Sequence, residues 1–321
     1  MDLNQVKQQL RAMDFAAPPT YGNAIRAYFQ FYGIDFTDSF ADLTHRFGTI
    51  KSGEFDLSCH SFQRTGADST AYVVHGYFDH AGLYQHVIRF LLDRNINVIV
   101  FDLPGHGLSS GPRASIGAFA DYIAALDECV KQSAPFMQQP ALFFGQSTGG
   151  AVIMQYLLDR KFDQVIAEPE HVVLLAPLVR PAKWSVLRFV FSVNRHLIDS
   201  MPRRFSNNSN DPDFLEFLRE TDPLQYRGLP MQWLLAMKVW IKHFLASPDS
   251  KLVPLLVQGE QDNTVDWKYN IKKVRAKFPS VRLRLLPEGK HHLVNESVEI
   301  REQMFALVEE YIEAKKERTS V

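Results

Sequence analysis

The chain has 321 residues, 46% of them hydrophobic and 22% charged, so it carries enough apolar material for a large core. That composition excludes a disordered chain, a collagen-like repeat and a disulfide scaffold. Its 35 basic and 36 acidic residues nearly cancel, which gives no general attraction to nucleic acid or to an anionic membrane surface.

The first ten residues show no signal-like apolar run, and no stretch approaches the roughly 18 continuous apolar residues of a membrane span. Cys59 and Cys129 lack C-x-x-C spacing, which argues against a Cys-built zinc site. A reducing, cytoplasmic setting is therefore expected.

Residues 47–62 alternate polar and apolar side chains, as an antiparallel edge hairpin does. From Ala71 onward, short β-branched or aromatic runs alternate with helical patterns. Ala71–His75 stops at Gly76, and Asn97–Asp102 stops at Pro104 and Gly105. Ala141–Phe144 ends at Gly145, and His171–Ala176 ends at Pro177. Leu252–Val257 and Val281–Leu286 follow near the C-terminus. Runs apolar on both faces suit strands of a sheet covered by helices on each side.

Between these runs, Ile116, Phe119, Ile123, Leu126 and Val130 form a helical stripe. Val152, Ile153, Tyr156 and Leu157 form another, and Ile300, Met304, Leu307, Val308 and Tyr311 a third. Strand–helix alternation of this kind predicts an α/β fold with a mostly parallel central sheet. Residues 177–250 break the pattern. They show no clean strand, and they are rich in aromatics: Trp184, Phe189, Phe191, Phe214, Phe217, Trp233, Trp240 and Phe244. The interval reads as a helical cap inserted between core segments 41–176 and 251–321. The plainer alternative is a set of extra core helices.

The pattern G-x-S-x-G occurs twice, around Ser109 and around Ser147. Chance gives such a string in about one chain in ten of this length, so its surroundings decide. A nucleophilic serine on a sharp turn needs a strand leading in, a helix leading out and small flanking residues. Ser147 has all three. Ser109 sits well past its strand, with Pro112 just downstream, and reads as a loop residue.

A serine nucleophile needs an acid, a base and oxyanion donors, in the chain order Ser, acid, His for this architecture. Asp262 falls in the loop after the strand that ends at Gly259. Asp266 reads better as the cap of a helix near Trp267, and Glu260 lies too close to the strand end. The base comes from the adjacent pair His291 and His292, which spacing alone does not separate. The N–H groups of Tyr77 and Thr148 are placed to hold an oxyanion. His75 reads as structural.

These residues resemble the α/β-hydrolase superfamily, within it the monoglyceride lipase and lysophospholipase-like group, also grouped with serine aminopeptidases. The resemblance covers residues 71–311. It rests on His75-Gly-Tyr-Phe-Asp-His80, Phe101-Asp-Leu-Pro-Gly-His-Gly-Leu-Ser-Ser-Gly111, Gly145-Gln-Ser-Thr-Gly149, Gly259-Glu-Gln-Asp262 and His291-His-Leu-Val-Asn-Glu296. The second string matches a family loop, which accounts for the duplicate at Ser109. In the family the catalytic histidine starts the last string, which implies His291. Thr148 stands where the family often has Met, and only its N–H is needed. Against compact members, residues 1–40 look like an N-terminal helical extension.

The expectation is a serine ester hydrolase with Ser147, Asp262 and His291 as its triad and no cofactor or metal. Trp184 and Trp233 of the cap are expected to help form an acyl pocket for a small lipid-like ester such as a monoacylglycerol or lysophospholipid. The cap's apolar surface is a candidate for transient membrane contact, and no feature assigns an oligomeric state. Aminopeptidase, thioesterase and acyltransferase activities use the same fold. A peptidase would need acidic residues to grip an amine, for which Asp79 and Glu288 are candidates. A non-catalytic binding protein on this scaffold would carry a broken triad.

Overall fold

A computed structural model of the chain describes residues 1–160, 169–187, 199–203 and 205–319, with side chains as far as residue 314. Phe189 and Phe191 of the aromatic interval lie outside the described residues. The chain opens with helices α1 (Leu3–Gln9) and α2 (Asn23–Tyr32). Strands β1 (Leu43–Ser52) and β2 (Phe55–Arg64) form the edge hairpin, in register from Ser52 opposite Phe55 to Leu43 opposite Arg64.

The runs apolar on both faces become β3 (Ser69–Val74), β4 (Ile96–Phe101), β5 (Ala141–Gln146) and β6 (His171–Leu175). Helices α3 (Gln85–Leu92), α4 (Phe119–Ser133) and α5 (Thr148–Asp159) alternate with them. After β7 (Ser200–Pro202) and β8 (Gly228–Pro230), strands β9 (Leu255–Gly259) and β10 (Arg282–Leu286) complete the sheet. Its order is β1-β2-β4-β3-β5-β6-β9-β10, and only β1–β2 and β2–β4 pair antiparallel.

Strand periodicity divides the core in two. Along β3, Tyr72 and Val74 face one buried cluster with α4 and α5, while Ala71 and Val73 face another with α2 and α3. This is the α/β-hydrolase architecture, a mostly parallel sheet with helices on both sides. Helix α4 begins at Phe119 rather than near Ile116, whose buried side chain belongs to the preceding loop.

Within 177–250, β7 and β8 form a small antiparallel pair where the sequence shows no strand. Three residues per strand are too few for a periodic signal. The helix Met231–Ala246 buries Trp233, Trp240 and Phe244, with Trp240 stacked on Phe119 of α4 at 4.4 Å between ring centroids.

One polar cluster ties the N-terminal segment, the loop after β3 and the 177–250 interval together. Asp222, after a π-helical turn (Phe217–Thr221), accepts from Tyr32 Oη of α2 at 2.7 Å and pairs with His80 Nε2 at 3.0 Å. The His80 and Asp222 side chains are fully buried. Burial pushes the His80 pKa down, but the adjacent carboxylate outweighs it and the net shift is upward. Burial likewise opposes ionisation of Asp222, yet His80 and the hydrogen bonds bring its pKa down to about 2.

The charged pair therefore contributes fully between about pH 4 and pH 6.5, and fades as pH rises through the elevated His80 pKa. Asp222→Asn is expected to cost about 3 kcal/mol at pH 6. Thermal melts across pH should show the gap from the native protein narrowing on the alkaline side; a gap constant with pH contradicts the charged pair.

Candidate active site

Ser147 sits on the sharp turn between β5 and α5 with φ 53°, a left-handed conformation that a non-glycine residue adopts at a cost of about 1–3 kcal/mol. Main-chain bonds fix it there. Ser147 N–H donates to Leu175 C=O at 2.9 Å, and its C=O accepts from Leu178 N–H at 3.0 Å and Ala151 N–H at 3.1 Å. The turn works only because α5 passes close to the sheet. A Cβ on Gly149 would lie 1.9 Å from the Val74 carbonyl oxygen.

Of the two histidines, His291 reaches the serine. Ser147 Oγ lies 2.9 Å from His291 Nε2, and His291 Nδ1 lies 2.8 Å from Asp262 Oδ2. A carboxylate only accepts, so Nδ1–H is the donor and Nε2 is left to accept the hydroxyl proton. All three side chains are nearly buried: Ser147 is 8% exposed, Asp262 4% and His291 5%.

Asp262 is held by a turn of its own, accepting from Thr264 N–H at 2.8 Å, Val265 N–H at 3.1 Å and Gln258 Nε2 at 3.0 Å. Burial alone raises its pKa, but His291 beside it and these donors leave the net shift downward, so it stays ionised. The histidine loop crosses β9 closely. A Cβ on Gly259 would meet the carbonyl oxygens of Gly289 and Lys290 at 2.3 Å. Gln146 Nε2 donates to His291 C=O at 2.8 Å, and buried Glu296 accepts from Lys290 N–H at 2.6 Å and Asn210 N–H at 2.7 Å.

The other sequence candidates take different places. Asp266 caps the helix Trp267–Lys277 by accepting from Tyr269 N–H, and it pairs with Arg180. Ser109 spends its hydroxyl on Asp102 C=O at 2.6 Å and accepts from Ser58 N–H. His75 is buried, its Nδ1–H donating to Gly76 C=O and its Nε2 accepting from Leu103 N–H.

His292 donates from Nε2 to Asp79 at 3.1 Å, a hydrogen bond that the sequence did not reveal. Asp79 also accepts from Gly76 N–H and Tyr84 Oη, which braces the loop bearing Tyr77. Burial opposes ionisation of Asp79, but His292 and the other partners leave its pKa lowered. Tyr77 is further held by its hydroxyl, which donates to Ala114 C=O, and by its ring, stacked 3.8 Å from Trp233. Thr148 is the first residue of α5, so its N–H is among those a helix leaves without an internal acceptor.

A cavity of about 240 Å³ opens over Ser147 and His291, with Tyr77, Thr148 and Trp233 in its wall. Leu178, Leu187, Leu218 and Leu229 make much of it apolar. Trp184 is half-buried, packs against the core and is absent from the cavity wall among the described residues. Glu288 is exposed and likewise outside it. No group of three or more His, Cys, Asp or Glu side chains among the described residues is placed to hold a metal ion. Also among the described residues, no helix is long and apolar enough to cross a membrane.

Residues 66–298 match the family described as serine aminopeptidase, S33. The chain belongs to that family. Human monoglyceride lipase is 25% identical over 267 residues, 78% of this chain and 84% of that protein. Phospholipase YtpA of Bacillus subtilis is 25% identical over 252 residues, 75% and 95% of the two chains. Other relatives are much longer. The chain spans 15% of a Dictyostelium discoideum abhydrolase domain-containing protein and 40% of Escherichia coli YnbC, at 29% and 27% identity over 46% and 72% of its own length.

Among solved structures, a soluble variant of Saccharomyces cerevisiae monoglyceride lipase in complex with a substrate analogue superposes with a TM-score of 0.69 at 14% identity. That match covers 85% of this chain and 95% of the yeast one, a likeness of fold. By fold and by that family match, the protein is an α/β-hydrolase.

Proposed function

We propose that this protein is a serine hydrolase of carboxylic esters bearing an acyl chain, acting on monoacylglycerol- or lysophospholipid-like substrates. The observation that carries this reading is the continuous line from Asp262 through His291 to Ser147, with contacts of 2.8 Å and 2.9 Å. His291 Nε2 takes the Ser147 proton as Oγ attacks the ester carbonyl, and Asp262 stabilises the imidazolium that forms. The N–H groups of Tyr77 and Thr148 hold the oxyanion. The tetrahedral intermediate collapses as His291 returns the proton to the leaving alcohol. Water, activated by the same imidazole, then releases the acid from the acyl-enzyme.

Residues 177–250 act as a cap over this centre, and Trp233 bears on catalysis through Tyr77 while closing the acyl pocket. Burying each CH₂ of the acyl chain there contributes about 0.8 kcal/mol. The names of the human and Bacillus relatives, a monoglyceride lipase and a phospholipase, support the lipid-ester class. The aminopeptidase alternative has weaker physical support. Asp79 is the one carboxylate in the cavity wall among the described residues, and His292 already engages it.

A fluorophosphonate probe is expected to label Ser147 alone, read by peptide mapping, and to abolish hydrolysis of short-chain esters. Labelling at another serine, or full activity after labelling, contradicts the reading. Aminoacyl anilides tested beside esters of equal size are expected to be the poorer substrates.

A further inference from the structure

An apolar cavity suits an acyl chain, yet Arg203 and the exposed Arg219 also line it, and among the described residues neither has a carboxylate in contact. Arg203, immediately after β7, lines the cavity over Ser147. Its guanidinium lies 3.9 Å from the Phe78 ring centroid and 4.4 Å from that of Phe205. Nη1 donates to Gln225 Oε1 at 2.7 Å and to Tyr226 C=O at 3.2 Å. Each of these partners is neutral. Guanidinium has five N–H donors in a planar fork, and among the described residues no hydrogen bond engages Nε or Nη2.

The nearest opposing charges act from a distance and have partners of their own. Asp79 is paired with His292 and Asp222 with His80. Burial pulls the Arg203 pKa down to about 10 against these carboxylates, so the group stays cationic at neutral pH. A mostly buried cation without a bonded anion is costly to keep, and a ligand that brings the anion removes that cost. Its place is also telling. Phe78, beneath the guanidinium, adjoins Tyr77 in the loop held against Ser147, and it holds a strained φ of 70°.

We propose that Arg203 recognises an anionic group, phosphate or carboxylate, carried by the acyl ester, so that anionic esters are preferred over neutral glycerides. The inference rests on Ser147 as nucleophile and names the head-group class of that same site. A planar guanidinium with free donors at Nε and Nη2 suits two oxygens of such a group side by side.

The test compares three esters of one acyl chain on the full-length protein: 1-decanoylglycerol, its 3-phosphate and its 3-hemisuccinate. The anionic esters are expected to show kcat/KM at least tenfold above the neutral one. The better of the two identifies phosphate or carboxylate. Arg203→Gln is expected to lower the anionic-to-neutral ratio of kcat/KM by about 10–100-fold, mainly through KM, and Arg203→Lys to restore part of it. If Arg203 merely pins Phe78, the losses fall equally on all three esters and the ratio does not move, which overturns the proposal.

A binding experiment separates this from the hydrolase reading. Ser147→Ala protein is expected to bind decyl phosphate at least tenfold more tightly than decanol by calorimetry, and to lose that margin when Arg203→Gln is added. Equal affinity for the two overturns the anion site whether or not Ser147 is the nucleophile. Ester hydrolysis retained by Ser147→Ala would overturn the nucleophile assignment and leave the binding result standing.

Discussion

Ser147→Ala is expected to lower kcat for ester hydrolysis by about 10⁵–10⁶-fold while leaving the fold intact. The fold survives because Ala tolerates the left-handed backbone at this position about as well as Ser does. The main-chain bonds to Leu175, Leu178 and Ala151 do not involve the hydroxyl. His291→Gln should cost a similar factor, because without a base the hydroxyl is a weak nucleophile. The double variant should lose little more than either single one, since the two groups act as a unit. Single-turnover rates on one activated ester measure all three. Residual activity above about 1% in Ser147→Ala would mean that another group attacks the carbonyl.

Why Ser147 and not Ser109 could be read from sequence has a physical basis. Both sit in the same five-residue string, but only Ser147 follows directly on a run apolar on both faces and leads into a helix. Those neighbours create the sharp turn, and the structure has it there. The sheet was legible for the same reason, because β3 to β6 are buried on both sides and are mostly apolar, with Thr70, Asn97, Gln146 and His171 as buried polar exceptions. Spacing could not separate His291 from His292, since both leave the same strand end. What separates them is the direction in which each side chain points: one ring meets Ser147 and the other meets Asp79.

The supporting contacts were illegible because they join positions far apart in the chain. Tyr32 and Asp222 are 190 positions apart, His292 and Asp79 are 213 apart, and each looks like an ordinary polar residue until the fold assembles them. Arg203 was equally hidden, because nothing in the sequence brings it near Phe78 and Ser147. Trp184 and Trp233 are the same residue type in one aromatic interval. Only the tertiary packing puts Trp233 against Tyr77 and leaves Trp184 on the core.

Gly149→Ala should be the most destabilising single-atom addition near the site, costing more than about 4 kcal/mol of a total that for most domains is about 5–15. The added Cβ would lie 1.9 Å from Val74 O, 2.5 Å from Val74 C and 2.8 Å from His75 O. All three are main-chain atoms of β3 or its end, so no side-chain rotation relieves the overlap. Either α5 lifts off the sheet or β3 shifts in its pairing with β4 and β5, and both spread strain through the core.

Gly150→Ala is the control. Its Cβ would come no closer than 3.0 Å, to the Pro177 side chain, and Ala's helix preference of about 1 kcal/mol offsets that tight contact. Urea unfolding should therefore separate two neighbouring substitutions of identical chemistry. The folded fraction of Gly149→Ala should also turn over slowly, because a displaced α5 carries the Thr148 N–H away from the oxyanion. Equal stability of the two variants would mean that strand and helix are not held in contact at the turn, and the strained serine would lose its structural cause.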